Sequence, residues 1–466
     1  MGKDNGPMGR LRANDPAKKL ALAKIGSFCD SFRTERRAIT SRWQRSDSDQ
    51  GGSAVRIFFS VGEPSGDLHG SNLIRELQAR NSSVECVGFG GPKMAAAGCK
   101  IHEDLTKLAV MWFLRVFLNL HKFYKLVQDA DRYFREHRPD AVVLIDYPGF
   151  NWHIARKAQQ YDIPVFYYGA PQMWAWASWR ISKMRRLVDH VLCKLPFEAK
   201  WYQNHGCRAT YVGHPYFDEM RQLNLDQAFL SEVSRQPGKL VTILPGSRKQ
   251  EVHHNLKWFL KTAGKIVAQV PGTRFAIASF NEQQARLARE LVADSKLPIE
   301  VHVGRTQELI QLADCCLACS GSVSLELMYH EKPTVILYHV SPVAYFVQQF
   351  FRKVKYITLV NLLAASELYP KNLSPFHPDQ PDAASVPMPE YLTWRDRSTQ
   401  MATHIVSWLT SAESREKTVH LLQQVKAQVA EPGASRKAAE YLFKELAPVP
   451  AMRPHFLPDG SKQRVA

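Results

Sequence analysis

The sequence predicts an α/β protein of two doubly wound, Rossmann-like parallel sheets that face each other across a cleft. Three observations carry this. Short β-rich runs alternate with longer helical patterns from Val55 onward, the cycle restarts near Lys239, and a polar stretch of turn formers separates the two cycles. With 466 residues and 45% hydrophobic content, the chain is too long for one ordinary core and apolar enough for two.

The first 50 residues hold eleven Lys or Arg against six Asp or Glu. They lack the continuous apolar run and cleavage site of a secretory signal, so 1–54 reads as a disordered basic tail. The first cycle supplies strands at 55–61, 85–89, 141–145 and 164–168. The polar stretch 218–237 ends in Arg235, Gln236 and Pro237, followed by Gly238, and divides a first domain over 55–235 from a second over 236–405. The second cycle supplies strands at 240–244, 274–279, 299–303, 315–318 and 334–338. Residues 370–389 are Pro-rich and read as an irregular loop, and 391–446 reads as helix broken at Pro432 and Gly433. The helices over 406–447 form a C-terminal group, and 448–466 is a flexible tail.

The longest uncharged stretch, 333–351, contains His339, Ser341, Pro342, Gln348 and Gln349, so no transmembrane helix is expected. Eight scattered cysteines do not form the dense framework of a small secreted domain, which favours a reducing, cytosolic compartment. The net charge of +17 favours polyanions, among them phosphate-bearing membranes, nucleotides and nucleic acid. No base-stacking or groove-reading motif stands among the basic residues, so nucleic acid is not expected as a partner.

Chemistry-bearing residues gather at the ends of the predicted strands, where ligands of this fold class bind. The first strand runs into Gly62-Glu63-Pro64-Ser65-Gly66-Asp67, a tight turn able to receive a phosphate or a sugar, or simply a set of helix caps. The third run ends in Ile145-Asp146, and a partly desolvated aspartate there is placed to act as a general base; a capping role is the alternative. The segment 168–176 carries Trp174 and Trp176, suited to sugar stacking, to a lipid interface or to the core. In the second cycle, Pro245-Gly246-Ser247-Arg248 offers backbone NH groups and a guanidinium to a pyrophosphate, unless Arg248 merely pairs with Glu251. Ser320-Gly321-Ser322 opens a helix whose Glu326 is placed to accept ribose hydroxyls, with a capping arrangement as the alternative. Cys316 and Cys319 form a lone C-x-x-C in a buried strand and read as core, so no metal site is expected.

Taken together, E-x-S-G-D at 63–67, I-D-x-P-x-F-N at 145–151, P-x-x-W-A-W at 171–176, L-P-G-S-R-x-x-E at 244–251 and S-G-S-x-x-L-E at 320–326 resemble the lipid-A-disaccharide synthases. Their order and spacing match over roughly 55–445, with further similar pieces at 90–94, 195–198, 212–215 and 361–363. The resemblance implies the GT-B class of glycosyltransferases, with an acceptor and membrane side in the first domain and UDP-sugar binding in the second. It implies inverting transfer from UDP-2,3-diacylglucosamine to the 6-hydroxyl of 2,3-diacylglucosamine 1-phosphate, giving a β-1,6-linked disaccharide 1-phosphate and UDP. No cofactor is implied. Asp146 and Glu63 are the implied catalytic residues, and Ser65, Gly66, Ser247, Arg248, Gly321, Ser322, Glu326 and Asn361 the substrate-binding ones. Where the family reads P-E-L-L-Q, this chain has Pro370-Lys371-Asn372-Leu373-Ser374, so no role is carried past Asn361.

The stretch 108–127 holds more apolar residues than one core-facing stripe needs, interleaved with cations. Met111, Trp112, Phe113 and Phe117 are therefore expected to meet acyl chains or an anionic membrane surface, with a buried crossover helix as the alternative. The implied location is the cytoplasm, at the periphery of the inner membrane, and a homodimer is left open as an assembly. Two other readings compete. One is a UDP-N-acetylglucosamine 2-epimerase or another UDP-sugar enzyme of the same architecture; the other is a basic, non-catalytic binding protein.

Overall fold

The computed structural model describes residues 54–109, 120–221 and 223–447. Among them, the first sheet comprises β1 (Arg56–Val61), β2 (Glu85–Gly90), β3 (Lys100–Asp104), β4 (Ala141–Ile145), β5 (Val165–Tyr168), β6 (His190–Cys193) and β7 (Ala209–Tyr211). The second comprises β8 (Leu240–Leu244), β9 (Arg274–Ser279), β10 (Ile299–Val303), β11 (Cys315–Cys319), β12 (Thr334–His339) and β13 (Glu390–Thr393). Every pairing is parallel, in the orders β3-β2-β1-β4-β5-β6-β7 and β10-β9-β8-β11-β12-β13. In each sheet the order reverses direction next to the first strand, between β1 and β4 and between β8 and β11. Those two switch points are where a doubly wound sheet opens a crevice at its carboxyl edge.

Helices cover both faces, so the central strands read as unbroken apolar runs. AVVLI in β4 and LVTIL in β8 are buried throughout. Proline at the first helical turn follows β1, β4 and β6, in the helices Pro64–Arg80, Pro148–Gln160 and Pro196–Asn204. Its fixed φ starts a helix without wasting an NH, and it leaves Glu63, Tyr147 and Leu195 in the strand-to-helix turns at the sheet edge.

The structure adds four strands to the sequence reading. β3 (KIHED) is charged and half exposed at a sheet edge, whereas β6 and β7 are too short for an alternation to register. Glu390–Thr393, partly taken above as the start of a helix, is instead the buried edge strand β13. Its Glu390 carboxylate accepts from the backbone NH groups of Ile357 and Thr358 at 2.8 and 3.0 Å. The final helix, Ala434–Leu446, packs against Pro64–Arg80, with Ala438, Ala439 and Leu442 in one core with Ile57 and Leu73. Asp218 caps it by accepting from Gly433 and Ser435 NH at 2.5 and 3.0 Å, and Gly433 takes the left-handed conformation at the break (φ 93°). Cys315, Cys316 and Cys319 are buried in β11, as their apolar surroundings predict. Among the described residues, no helix is long and apolar enough to cross a membrane.

Candidate active site

At the first switch point, the turns after β1 and β4 meet. Gly66 allows the approach: a Cβ there would stand 2.9 Å from Val61 Cγ1 and 3.5 Å from Asp146 Oδ2. Asp146 and Tyr147 both adopt left-handed backbone (φ 48° and 43°), which costs about 1–2 kcal/mol per non-glycine residue. The conformation is held through the Asp146 carbonyl, which accepts from Tyr167 OH at 2.7 Å and from Asn151 Nδ2 at 2.8 Å. Asn151 is wholly buried and is fastened in turn by Ser60 Oγ, which donates to its Oδ1 at 2.7 Å. The N of the I-D-x-P-x-F-N motif is thus a brace for the aspartate.

The Asp146 carboxylate is half-buried and faces Lys194, whose Nζ donates to Oδ1 at 3.4 Å. Burial opposes the charge on Lys194, but Asp146, Glu198 and Glu63 outweigh it and hold its pKa above the ordinary value. Glu63 sits in the same field. Loss of hydration and the nearby Asp146 push its carboxyl up, while Arg248 and Lys194 pull the other way. The sequence reading missed Lys194, because the strand it follows, β6, had gone unrecognised; its only signal was its place just before Leu195-Pro196-Phe197-Glu198.

At the second switch point, Ser247 and Arg248 follow β8, while Gly321 and Ser322 follow β11. Arg248 pairs with Glu251 (2.7 Å), and the Glu251 carboxylate also accepts from the NH groups of Ser247 and Arg248 at 2.9 and 3.1 Å. Of the two alternatives for Arg248, the structure shows the pairing with Glu251. The guanidinium is 74% exposed, and an exposed pair of this kind is worth about 0–1 kcal/mol. A charge-assisted bond to a diphosphate, about 1.5–3 kcal/mol, would win the arginine over. Glu63 at the first switch point and Arg248 at the second each feel the other's charge.

Other predicted residues take different places. Ser65, Gly321 and Ser322 are exposed, and nothing lies within 4 Å of a Cβ built on Gly321. Asp67 caps the next short helix, accepting from Gly91, Lys93 and Met94 NH at 3.0 Å each. Glu326 is buried, accepts from Tyr216 OH at 2.5 Å through Oε2, and keeps Oε1 without a hydrogen-bond partner. Burial pushes its pKa up to about 7. Asn361 is 1% exposed, and its amide hydrogens go to Met388 O (2.7 Å) and Glu390 Oε2 (3.0 Å) while Oδ1 accepts from Met388 NH. With both hydrogens used inside the protein, Asn361 braces the second sheet. The tryptophan loop divides: Trp174 is core, donating to Glu198 at 2.9 Å, and Trp176 is exposed. Met111, Trp112, Phe113 and Phe117 lie outside the described residues. Of the adjoining stretch, Leu126 is buried, Phe123 packs on the core and Tyr124 is exposed.

Comparison with known proteins places this architecture. A family model described as lipid-A-disaccharide synthetase matches residues 57–407. The lipid-A-disaccharide synthase of Trichlorobacter lovleyi is 34% identical over 332 residues, covering 70% of this chain and 86% of the relative. That of Anaeromyxobacter sp. (strain K) is 31% identical over 387 residues, covering 83% and 96%. Solved structures share the fold at low identity. The UDP-GlcNAc 2-epimerase from Neisseria meningitidis bound to UDP-GlcNAc has a TM-score of 0.55 at 12% identity, covering 84% of this chain and 100% of that one. The calicheamicin glycosyltransferase CalG4 has a TM-score of 0.52 at 12% identity, covering 85% and 100%. With two doubly wound parallel sheets and sequence kinship over most of its length, the chain belongs to the lipid-A-disaccharide synthase family of glycosyltransferases.

Proposed function

We propose that this chain transfers 2,3-diacylglucosamine from UDP-2,3-diacylglucosamine to the 6-hydroxyl of 2,3-diacylglucosamine 1-phosphate, with inversion, at the cytoplasmic face of an anionic membrane. One observation carries the reading: in a chain of the lipid-A-disaccharide synthase family, the Asp146 carboxylate stands at the first switch point 3.4 Å from Lys194 Nζ, and the exposed Arg248 follows the first strand of the second sheet. Asp146 takes the proton from the acceptor hydroxyl as its oxygen attacks the anomeric carbon from the face opposite UDP. The carbon–oxygen bond to UDP breaks, and the charge that develops on the diphosphate meets Arg248 and the turn at Gly321 and Ser322. Glu63, beside Asp146, binds a sugar hydroxyl, and Lys194 orients the Asp146 carboxylate. Glu326 offers its unpaired oxygen toward the ribose.

The test is mass spectrometry of what forms from the two detergent-dispersed substrates. The expected product is the disaccharide 1-phosphate with one UDP per turnover, and Asp146→Asn should lower turnover by about two to four powers of ten with UDP binding kept. Epimerised UDP-N-acetylglucosamine formed without any acceptor would establish the competing reading instead. Near-normal turnover of Asp146→Asn would remove that residue from the mechanism.

A further inference from the structure

The helix Pro342–Phe351 follows β12 and is capped by Ser341, whose Oγ accepts from Ala344 NH at 3.2 Å. Its apolar side chains recur at i, i+3, i+4 and i+7, the spacing of one helical stripe. That stripe does not face the core. Val343 is 73% exposed, Phe346 56%, Val347 48% and Phe350 86%, and Phe351 beside them is 50% exposed. A stripe of this kind left in water marks a surface that meets something apolar.

The stripe continues onto the first half of the molecule. The Trp179 ring lies 6.5 Å from that of Phe351 and 6.2 Å from that of Trp176, and both tryptophans are about half exposed. The junction is hydrogen-bonded: Lys353 NH donates to Ala175 O at 2.9 Å, and its Nζ donates to Ser178 Oγ at 2.6 Å. Its charge is one-sided. Residues 173–188 contain Arg180, Lys183, Arg185 and Arg186 with no acidic residue; 340–366 contain none either, and of their Arg352, Lys353 and Lys355 the last is paired with Asp382 at 2.5 Å. Arg180 stacks over Trp176 at 5.2 Å, and Lys183, Arg185 and Arg186 are exposed.

We infer that this surface, the helix Pro342–Phe351 together with Trp176 and Trp179, docks onto an anionic bilayer. The apolar stripe and the indole rings enter the headgroup boundary, while the flanking cations meet lipid phosphates. Because the surface spans both halves, docking would hold the two sheets at one membrane plane, with the cleft between them open to substrates carried in that membrane. The inference rests on the proposed lipid substrates, but it concerns the protein's own surface and is tested without them.

The experiment is sedimentation of the full chain with vesicles of phosphatidylcholine, alone or containing phosphatidylglycerol, with no substrate present. Wild type should bind the anionic vesicles more tightly, and V343S/F346S/F350S should weaken that binding roughly tenfold or more. Its melting temperature and UDP affinity should not change, since the replaced side chains are largely exposed. As a second measurement on an intact stripe, brominated lipid should quench wild-type tryptophan emission, and W176F/W179F should lose most of that quenching. Unaltered vesicle binding by the triple variant, no binding by wild type, or loss of self-association without loss of vesicle binding would each overturn the inference; the last would assign the stripe to a second copy of the chain. Disaccharide formation in detergent is a separate readout, so failure of the proposed reaction and failure of the docking surface are distinguishable.

Discussion

Replacing Asn151 should separate how the site is held from what it does. Its buried amide makes two short hydrogen bonds, from Ser60 Oγ at 2.7 Å and to Asp146 O at 2.8 Å, and two longer ones to Ser60 O and Ile145 O at 3.3 Å. Each good bond contributes about 1 kcal/mol net, and orphaning the buried Ser60 hydroxyl costs about 1–3 kcal/mol more. Asn151→Ala should therefore destabilise the fold by about 3–5 kcal/mol in urea unfolding. The same variant removes one of the two donors that hold Asp146 left-handed against about 1–2 kcal/mol of strain. If about 1.4 kcal/mol of orientation is lost, kcat falls about tenfold while donor KM is unchanged. Ser60→Ala with Asn151→Leu supplies the control. Removing both partners at similar volume should restore most of the stability but not the turnover, because the Asp146 carbonyl still lacks its donor. A cost below about 1 kcal/mol for Asn151→Ala with kcat unchanged, or full turnover in the double variant, would refute this reasoning.

Two further outcomes are expected. Arg248→Ala should weaken UDP binding roughly 10- to 100-fold by calorimetry without acceptor, while stability changes by less than about 1 kcal/mol. Glu251 would still accept from the Ser247 and residue-248 backbone NH groups, so the helix cap persists. Unchanged UDP affinity would remove Arg248 from the donor site. Glu326 has a native pKa of about 7, above its ordinary 4.5, so the folded state holds the proton more tightly than the unfolded chain. Its contribution is nil below about pH 4.5, turns destabilising as pH rises, and levels off above about pH 7, on the order of 3 kcal/mol. Glu326→Gln should thus raise stability at pH 8 but not at pH 4, and weaken UDP binding through the proposed ribose contact. Equal effects of the substitution on stability at both pH values would refute the titration argument.

The architecture was legible because its causes are local. Central parallel strands are covered on both faces, so β4, β8 and β9 appear in the sequence as apolar or β-branched runs with bounds readable to the residue. Each ends at the sheet edge, and this alone locates Asp146 and Arg248 where chemistry can occur. Strands of three or four residues, such as β6, β7 and β13, are too short to show a period, and their existence is decided by the neighbours they pair with. Lys194 was lost with β6, although it faces Asp146 from 48 positions away.

Tertiary structure also decided what each motif residue does. Asp67, Asn151 and Asn361 have the hydrogen-bonding capacity of ligand-binding residues. Folding uses that capacity on backbone groups 24, 5 and 27 positions distant, because buried NH and carbonyl groups must be paired. Trp174 and Trp176 stand two residues apart in one loop, yet one fills the core and the other meets solvent. The sequence by itself determined two parallel α/β sheets and the strand ends that hold the candidate site, since hydrophobic pattern and turn residues act over a few positions. Which polar side chains stay free for a substrate was decided by the tertiary structure, because that depends on which distant backbone groups folding brings within about 3 Å of them.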